Sequence, residues 1–474
     1  MRRFERVYIG GGFQKTRGTE ELVLVDPSTE QPAGVLALAD EEDARLAVEA
    51  AARAFPAYSR SARRERIALL RSLGEAVKAR AGDLTEATIR EYGGPVEQAK
   101  WRAGLAANNF LVAARILEDF AFSRRINEVE VVAQAVGVAV HIVPWNSVYN
   151  AISVKMAGAL AAGCPVVVKP SEFSACQVDL FTECLHAAGA PAGVVNVVTG
   201  RGDVAGAALV AHPEVRKISF TGSTPVGKSI MRSAAERMTR VTLELGGKAP
   251  TIVLDDADMT RAASTALSIG FTNNGQACIA GSRILVRRTQ VEAFCLALKK
   301  ALDQVVPGDP ADPRTTLGPL VNQRQYQRVQ DHIRQGVREG GRLIAGGEGR
   351  PAGLERGYFT RPTIFADVTN DMTIAREEIF GPVLCVIAYD DDDHAVSIAN
   401  DTPFGLHAYV IGADAARARA IADRLDAGRV AINGLSHEPL APFGGFKQSG
   451  IGREYGVYGI EDHLELKAVS SSNL

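Results

Sequence analysis

The sequence predicts an α/β fold: two parallel sheets in succession, each covered by helices, with a small β arm. Three observations predict it. Short apolar strands alternate with helix-like segments through the first half of the chain, the pattern of repeated β-α-β units whose sheet is buried on both faces. A second alternating series starts after Pro250 and runs to about Phe446. Two strand-like stretches, 125–143 and 463–469, lie far apart and lack helical cover. At 474 residues the chain exceeds one simple core and suits two or three domains.

Taken in order, segments 41–55 and 62–80 carry apolar residues at helical spacing. Val129, Val131 and Val138 alternate as in a hairpin across 125–143. Segment 151–162 reads as a helix leading into the strand-like run 165–169, and 173–188 is helical again. Segment 194–198 is a strand ending at Thr199-Gly200. Lys217-Ile218-Ser219-Phe220 is a strand that feeds Thr221-Gly222-Ser223 and a helix over 226–237, followed by the strand Val241-Thr242-Leu243. Thr251-Ile252-Val253-Leu254 opens the second series. The tail 463–469 is strand-like, and with 125–143 it suggests an arm that pairs with something else.

Composition excludes several classes. Hydrophobic residues at 46% and charged residues at 23% are ordinary for a globular protein. A net charge of −2 provides no field to recruit nucleic acid or an anionic membrane. The basic cluster at 60–66 falls within a helical pattern and reads as a solvated face. No secretory signal is expected, because 7–12 is no hydrophobic core of useful length. The most apolar region, 151–168, is interrupted by Lys155 and Gly163-Cys164-Pro165, which excludes a membrane span. The six cysteines show no Cys-x-x-Cys spacing and the eight histidines no ligand spacing, so no disulfide framework and no metal are expected. A reducing, cytoplasmic setting fits.

Cys278 ends the run Asn273-Asn274-Gly275-Gln276-Ala277-Cys278, downstream of Glu244 in Leu243-Glu244-Leu245-Gly246-Gly247-Lys248. A thiol that attacks a carbonyl needs a proton-moving group, an oxyanion donor and a backbone that admits substrate. Glu244 suits the first need, and the glycines flanking both residues the last. Alone, a cysteine after Gly-Gln is more often a buried small apolar residue than a nucleophile. Its pairing with the Glu-Leu-Gly-Gly run reverses that.

At these residues the chain resembles the aldehyde dehydrogenase superfamily. The resemblance runs over nearly the whole length, through Pro144-Trp145-Asn146, Lys169-Pro170-Ser171-Glu172 and Phe220-Thr221-Gly222-Ser223-Thr224. Glu377-Glu378-Ile379-Phe380-Gly381-Pro382 and the run from Pro442 to Gly450 follow in the family's order. It implies a Rossmann-like cofactor domain at 1–116 and 136–246, a catalytic domain at 247–447, and oligomerisation segments at 117–135 and 448–474. It also implies a homodimer or homotetramer. In this match Cys278 is the nucleophile and Glu244 the base. The Asn146 amide and the Cys278 backbone N–H are the oxyanion donors, and Lys155 with Glu454 forms a proton path or a structural ion pair. Without the match, Asn146 would read as a loop cap.

No Gly-x-Gly-x-x-Gly follows a strand in the usual way, but Gly222 to Gly227 is a looser turn that opens a helix, where unpaired N–H groups suit a pyrophosphate. The resemblance implies NAD, with NADP as the alternative. Lys169 and Glu172 would contact the adenosine ribose, Ser223 the pyrophosphate and Val226 the adenine. Glu378 and Phe380 would hold the nicotinamide end. Val143, Pro144, Trp145 and Ser171 join this set, as do Gly202, Gly206, Phe220, Thr221, Gly222, Leu245 and Gly246. Glu172 also reads simply as a carboxylate at a helix N-terminus. Its ability to bond a ribose diol favours NAD over NADP.

The chain departs from the family's pattern at Ser147-Val148, where an aromatic residue and proline are usual, at Thr272, where many members carry an aromatic, and at Ala133-Gln134-Ala135. The substrate-pocket positions are Ser147, Asn150, Ala151, Val154, Thr272, Ala277, Ile279, His437 and Phe443. Small residues at the first of these predict a widened channel and a bulky or aromatic aldehyde, and the lack of Arg among them disfavours a carboxylate-bearing semialdehyde. Three other readings compete: a CoA-acylating dehydrogenase, a semialdehyde dehydrogenase, and an inactive scaffold or ligand-binding relative. Retention of Cys278 and Glu244 argues against the first and the last.

Overall fold

The computed structural model describes residues 2–470; Met1 and the last four positions of segment 448–474 lie outside the described residues. Two large sheets dominate. The first has eight strands, in the order Gly450–Ile451, Arg240–Glu244, Val215–Thr221, Val138–Ile142, Val166–Lys169, Val195–Val197, Arg6–Ile9, Gly12–Lys15. Its five inner strands run parallel and the outer ones antiparallel. The second has seven strands, Arg342–Ala345, Thr363–Ala366, Val383–Tyr389, Arg283–Arg287, Pro250–Val253, His407–Ile411 and Arg429–Ile432, parallel except for the first. Helices such as Val148–Ala162 and Met259–Gly270 cover them, and each sheet has its own buried cores. Among the described residues, no helix is long and apolar enough to cross a membrane.

The expected hairpin over 125–143 needs correcting. Ser123–Ile126 and Val129–Ala135 do form an antiparallel hairpin, turning at Asn127 with a φ of 51°. Val138–Ile142, however, leaves the arm at Gly137, whose φ is 136°, and enters the first sheet. Burial explains the divergence. All five residues of Val138–Ile142 are buried, as a central parallel strand requires, whereas the hairpin strands are largely exposed. The partner of the arm proves to be the chain's own tail: Leu464–Ser470 pairs antiparallel with Val129–Ala135, from Leu464 opposite Ala135 to Ser470 opposite Val129.

The helices expected over 41–55, 62–80 and 173–188 are Glu41–Tyr58, Arg63–Ala79 and Ala175–Ala187. The helix expected over 151–162 starts three residues earlier, at Val148. The short strands of the first 37 residues gave no clear sequence pattern, being only partly buried and broken by Gly10 to Gly12.

The first sheet has one unusual face. Central parallel strands are normally continuous apolar runs, yet Lys217 and Ser219 alternate with Ile218 and Phe220, and all four are buried. Ser219 pairs with His141 on one neighbouring strand and Thr242 on the other. Directly paired residues share a face, so a polar row crosses three strands inside the protein.

Candidate active site

Cys278 is positioned by a left-handed turn. The helix Met259–Gly270 gives way to Thr272–Gly275, in which Asn273, Asn274 and Gly275 have φ values of 55°, 58° and 70°. Asn tolerates this region better than other non-glycine residues. At Gly275 a Cβ would lie 2.3 Å from the Gly381 backbone, so nothing larger fits. The Asn274 amide is buried, donates to the carbonyls of Gly93 and Pro319 at 3.0 and 3.2 Å, and accepts from the Gly318 N–H at 2.8 Å. Gln276 donates to the Tyr92 hydroxyl at 3.1 Å and accepts from the Val321 N–H at 3.0 Å, while the Tyr92 hydroxyl donates to the Asn273 carbonyl at 3.0 Å. These bonds fix the chain on the approach to the thiol. Sequence reasoning missed Tyr92, which reaches this turn only through the tertiary fold.

Cys278, Glu244 and Asn146 line one cleft of about 950 Å³. Burial, then the carboxylates of Glu378 and Glu244, push the Cys278 thiol up to about 12. The thiol is therefore neutral at pH 7 and requires a base. Glu244 ends the strand Arg240–Glu244 and is buried, and neither carboxylate oxygen has a hydrogen-bond partner among the described residues. Burial and the nearby Glu454 charge raise its pKa well above the usual carboxylate range. An uncommitted, proton-retaining carboxylate of this kind suits general-base work. The Asn146 amide donates one hydrogen bond to the Gln276 carbonyl at 2.9 Å; a carboxamide has a second N–H to offer. The Asn146 backbone carbonyl accepts from Arg102 at 2.6 Å and from the Asn273 amide at 3.1 Å.

The structure brings Lys155 and Glu454 into a buried ion pair. The Ser219 hydroxyl accepts from the Lys155 ammonium at 2.8 Å and donates to Glu454 Oε1 at 3.1 Å.

The same cleft is lined by Pro144, Trp145, Thr221, Gly222, Ser223, Leu245, Gly246, Glu378 and Phe380, and its shape suits an extended dinucleotide. Gly246 packs where a Cβ would lie 2.5 Å from Glu378 Oε2, and Gly222 faces the Phe220 ring at 2.4 Å. The Gly247 N–H donates to Glu378 Oε1 at 3.1 Å, and burial holds that carboxyl at about 7. Phe380, at a φ of 62°, stands edge-on to Trp145 with ring centroids 5.4 Å apart. Ser223 stands at the N-cap position of the helix Thr224–Ala235, where its side chain makes no capping hydrogen bond. Lys169, Ser171, Glu172, Gly202 and Gly206 are not themselves among the residues that line the cleft, but Phe173, next in sequence to Glu172, is. The Lys169 ammonium pairs with Glu172 at 3.2 Å, Ser171 caps a short turn by accepting from the Phe173 N–H at 3.3 Å, and Gly206 faces the Lys169 stem. Val226 is exposed on its helix. Val143 and Phe220 depart from expectation: their side chains fill hydrophobic cores, so only their backbone belongs to the strand ends.

On the substrate side, Ser147, Asn150, Ala151 and Val154 are half-buried on an otherwise buried helix. Their spacing of three, four and seven residues puts them on one face. Thr272, Ala277 and Ile279 are half-buried beside Cys278. A chain of rings follows: Phe443 to Tyr455 at 5.9 Å, Tyr455 to His437 at 5.6 Å, and His437 to exposed Trp101 at 5.9 Å. Tyr455 and Trp101 were not expected there; no local pattern marks either. Arg429 lies 5.7 Å from the Phe443 ring and donates to the Ala441 and Pro442 carbonyls at 3.3 and 3.4 Å, so its charge supports the loop.

A thiol, a proton-handling carboxylate and an amide donor, gathered on a nucleotide-sized cleft at the strand ends of an α/β fold, define a thiol-dependent enzyme. The chain belongs to the aldehyde dehydrogenase family, whose sequence model matches residues 13–469, and it is an oxidoreductase. It is 44% identical over 471 residues to a 3-succinoylsemialdehyde-pyridine dehydrogenase from a Pseudomonas species, covering 99% of each chain. Among solved structures it resembles aldehyde dehydrogenase C of Pseudomonas syringae, a cysteine-to-alanine mutant complexed with NAD+ and octanal. The TM-score is 0.98 at 41% identity, covering 99% of this chain and 98% of that one. An NAD+ complex of an aldehyde dehydrogenase from Bacillus cereus matches with a TM-score of 0.94 at 39% identity, covering 98% and 96%.

Proposed function

We propose that this protein oxidises a bulky or aromatic aldehyde to the carboxylic acid with NAD, through a covalent adduct on Cys278. The observation that carries the reading is the pairing of Cys278 with an uncommitted Glu244 carboxylate on the cleft that Asn146 also lines. Glu244 takes the Cys278 thiol proton and passes it to Glu454, the sulfur adds to the aldehyde carbon, and the oxygen that becomes negative accepts from the free Asn146 N–H and the Cys278 backbone N–H. Losing one such donor typically costs about a hundred- to a thousand-fold in rate. NAD, held by Ser223, Glu378 and Phe380 and by Lys169 with Glu172, supplies the hydride acceptor. Glu244 then takes a proton from the water that attacks the thioester, releasing the acid and restoring the thiol. Glu454, paired with the Lys155 ammonium, receives that proton. A free Glu244 carboxylate favours water over CoA as the acyl acceptor.

Substrate size follows from the helix face bearing Ser147, Ala151 and Val154, whose short side chains leave room that an apolar substrate fills at about 25 cal/mol per Å² buried. The pyridine semialdehyde dehydrogenase and the octanal complex support a large substrate. A panel of benzaldehyde-like, long aliphatic and short aldehydes should give the highest kcat/KM for the first two, and Ser147→Phe should penalise them selectively. A preference for acetaldehyde would overturn the reading. For the chemistry, Glu244→Gln should give a burst of reduced cofactor and then turnover reduced about a hundred- to ten-thousand-fold; wild-type steady-state turnover would refute it.

NAD should be preferred over NADP, because the Glu172 carboxylate accepts from a ribose diol and repels a 2′-phosphate. We further assign 1–116 and 136–246 to cofactor binding, 247–447 to catalysis, and 117–135 with 448–474 to a homodimer or homotetramer, in a reducing cytoplasm that keeps the thiols reduced.

A further inference from the structure

We propose that Ser219, Thr242, Lys217 and Asp462 form a proton exit that carries the proton collected at Glu244 across the buried face of the first sheet to solvent. The proposal rests on Glu244 acting as the base, and it extends beyond the Lys155–Glu454 pair to a second set of residues.

The polar row has no structural need to exist. Strands buried on both faces are most stable when apolar, and each buried polar group must find partners. Here the partners form a chain. The Lys155 ammonium and the Glu454 carboxylate meet at the Ser219 hydroxyl. Ser219 stands directly beside Thr242 on the neighbouring strand, on the same face, about 4.8 Å away by strand spacing. No direct hydrogen bond joins the two hydroxyls among the described residues, so the relay needs one bridging water between the two clusters. The Thr242 hydroxyl accepts from the Lys217 ammonium at 2.6 Å and donates to Asp462 Oδ2, and Lys217 also pairs with Asp462 at 2.7 Å. Lys217 is buried, whereas the Asp462 side chain is 19% exposed and lines a surface bay of about 460 Å³ with Lys217 and Arg240. The far end of the chain is therefore wet.

The proton balance is simple. Water gives its oxygen to the acyl carbon and one proton to Glu244. Glu454 takes that proton, and the Ser219 hydroxyl accepts it while releasing its own towards Thr242. The Thr242 hydroxyl repeats the exchange onto Asp462, which loses the proton to bulk water. Hydroxyls accept and donate together, so each end returns to its starting state, and no oxidant or co-reactant is involved. Lys155, His141, Arg240, Arg453, Glu454 and His463 are the charged or titratable groups facing this route.

The test uses the full-length oxidised-cofactor complex. Thr242→Val keeps the shape and the Lys217–Asp462 pair but removes the relay hydroxyl; Asp462→Asn removes the terminal acceptor. Reduced-cofactor formation in a single turnover should match wild type in both. Deacylation, followed by rapid quench in dilute buffer, should slow about tenfold and recover as a small buffer base such as imidazole is added. Wild-type deacylation in dilute buffer for both variants would overturn the proposal. So would a loss that imidazole does not restore, because a packing defect has no reason to respond to a proton carrier. If Glu244→Gln deacylates normally, the base assignment itself fails, whatever Thr242→Val does.

Discussion

At the level of single residues, burial sets the working pH. Both acids of the site are raised, Cys278 to about 12 and Glu244 well above its ordinary value, in each case chiefly by burial. A raised acid holds its proton to higher pH, and at neutral pH the thiol is in its inactive form. Activity should climb as pH rises, about tenfold per unit where one deprotonation limits the rate. The alkaline rise in deacylation should flatten in Glu244→Gln, as single-turnover pH profiles will show. Cys278→Ser should bind NAD, by titration calorimetry, yet lose aldehyde oxidation, because a hydroxyl is a far weaker nucleophile. Cys278 and Glu244, which line one cleft with Asn146, were legible in the sequence as a pair of short runs, and Asn146 only through the family resemblance. Tyr92 and Tyr455 were not, since their roles arise from contacts with residues far away in the chain, and the φ of 67° at Tyr455 leaves no trace in composition.

At the level of elements, the turn Thr272–Gly275 is the most demanding piece of backbone near the site. Asn274→Ala would leave two carbonyls and one N–H unpaired and place a less tolerant residue in the left-handed region. The expected cost is at least about 3 kcal/mol, visible as a lower denaturation midpoint, with kcat/KM falling further because Cys278 loses its support. Element type was legible wherever burial and periodicity agree, as in Glu41–Tyr58 or Val166–Lys169. It failed between Val129–Ala135 and Val138–Ile142, where two alternating runs separated by Gly137 serve different sheets, a choice made by long-range pairing.

At the level of the whole molecule, the alternation of strands and helices foretold two sheets, and two uncovered strand stretches foretold the arm. The tail strand Leu464–Ser470 is paired on one side only, and Leu466 and Val469 on it are exposed by 70% and 46%. Such an edge invites pairing with another chain, and closed symmetry is the common way to bury it. Replacing Leu466 with Lys should shift the protein towards monomer in sedimentation velocity while leaving the far-ultraviolet circular dichroism intact. An unchanged oligomer would place the interface elsewhere.

The Asn274-Gly275 pair has a consequence for how long the molecule lasts. In a flexible chain, an Asn followed by Gly is prone to cyclise: the Gly nitrogen attacks the side-chain amide, ammonia leaves, and hydrolysis yields aspartate or isoaspartate. Here the Gly275 nitrogen is engaged with the Phe271 carbonyl, and the Asn274 amide is held at both ends. The folded turn therefore protects its own most perishable bond. Each opening of that turn exposes it, and a single conversion replaces a donor that two carbonyls require with a carboxylate they repel. Heat inactivation through this turn then becomes chemically irreversible, so each opening of the turn is a route by which the activity is lost for good.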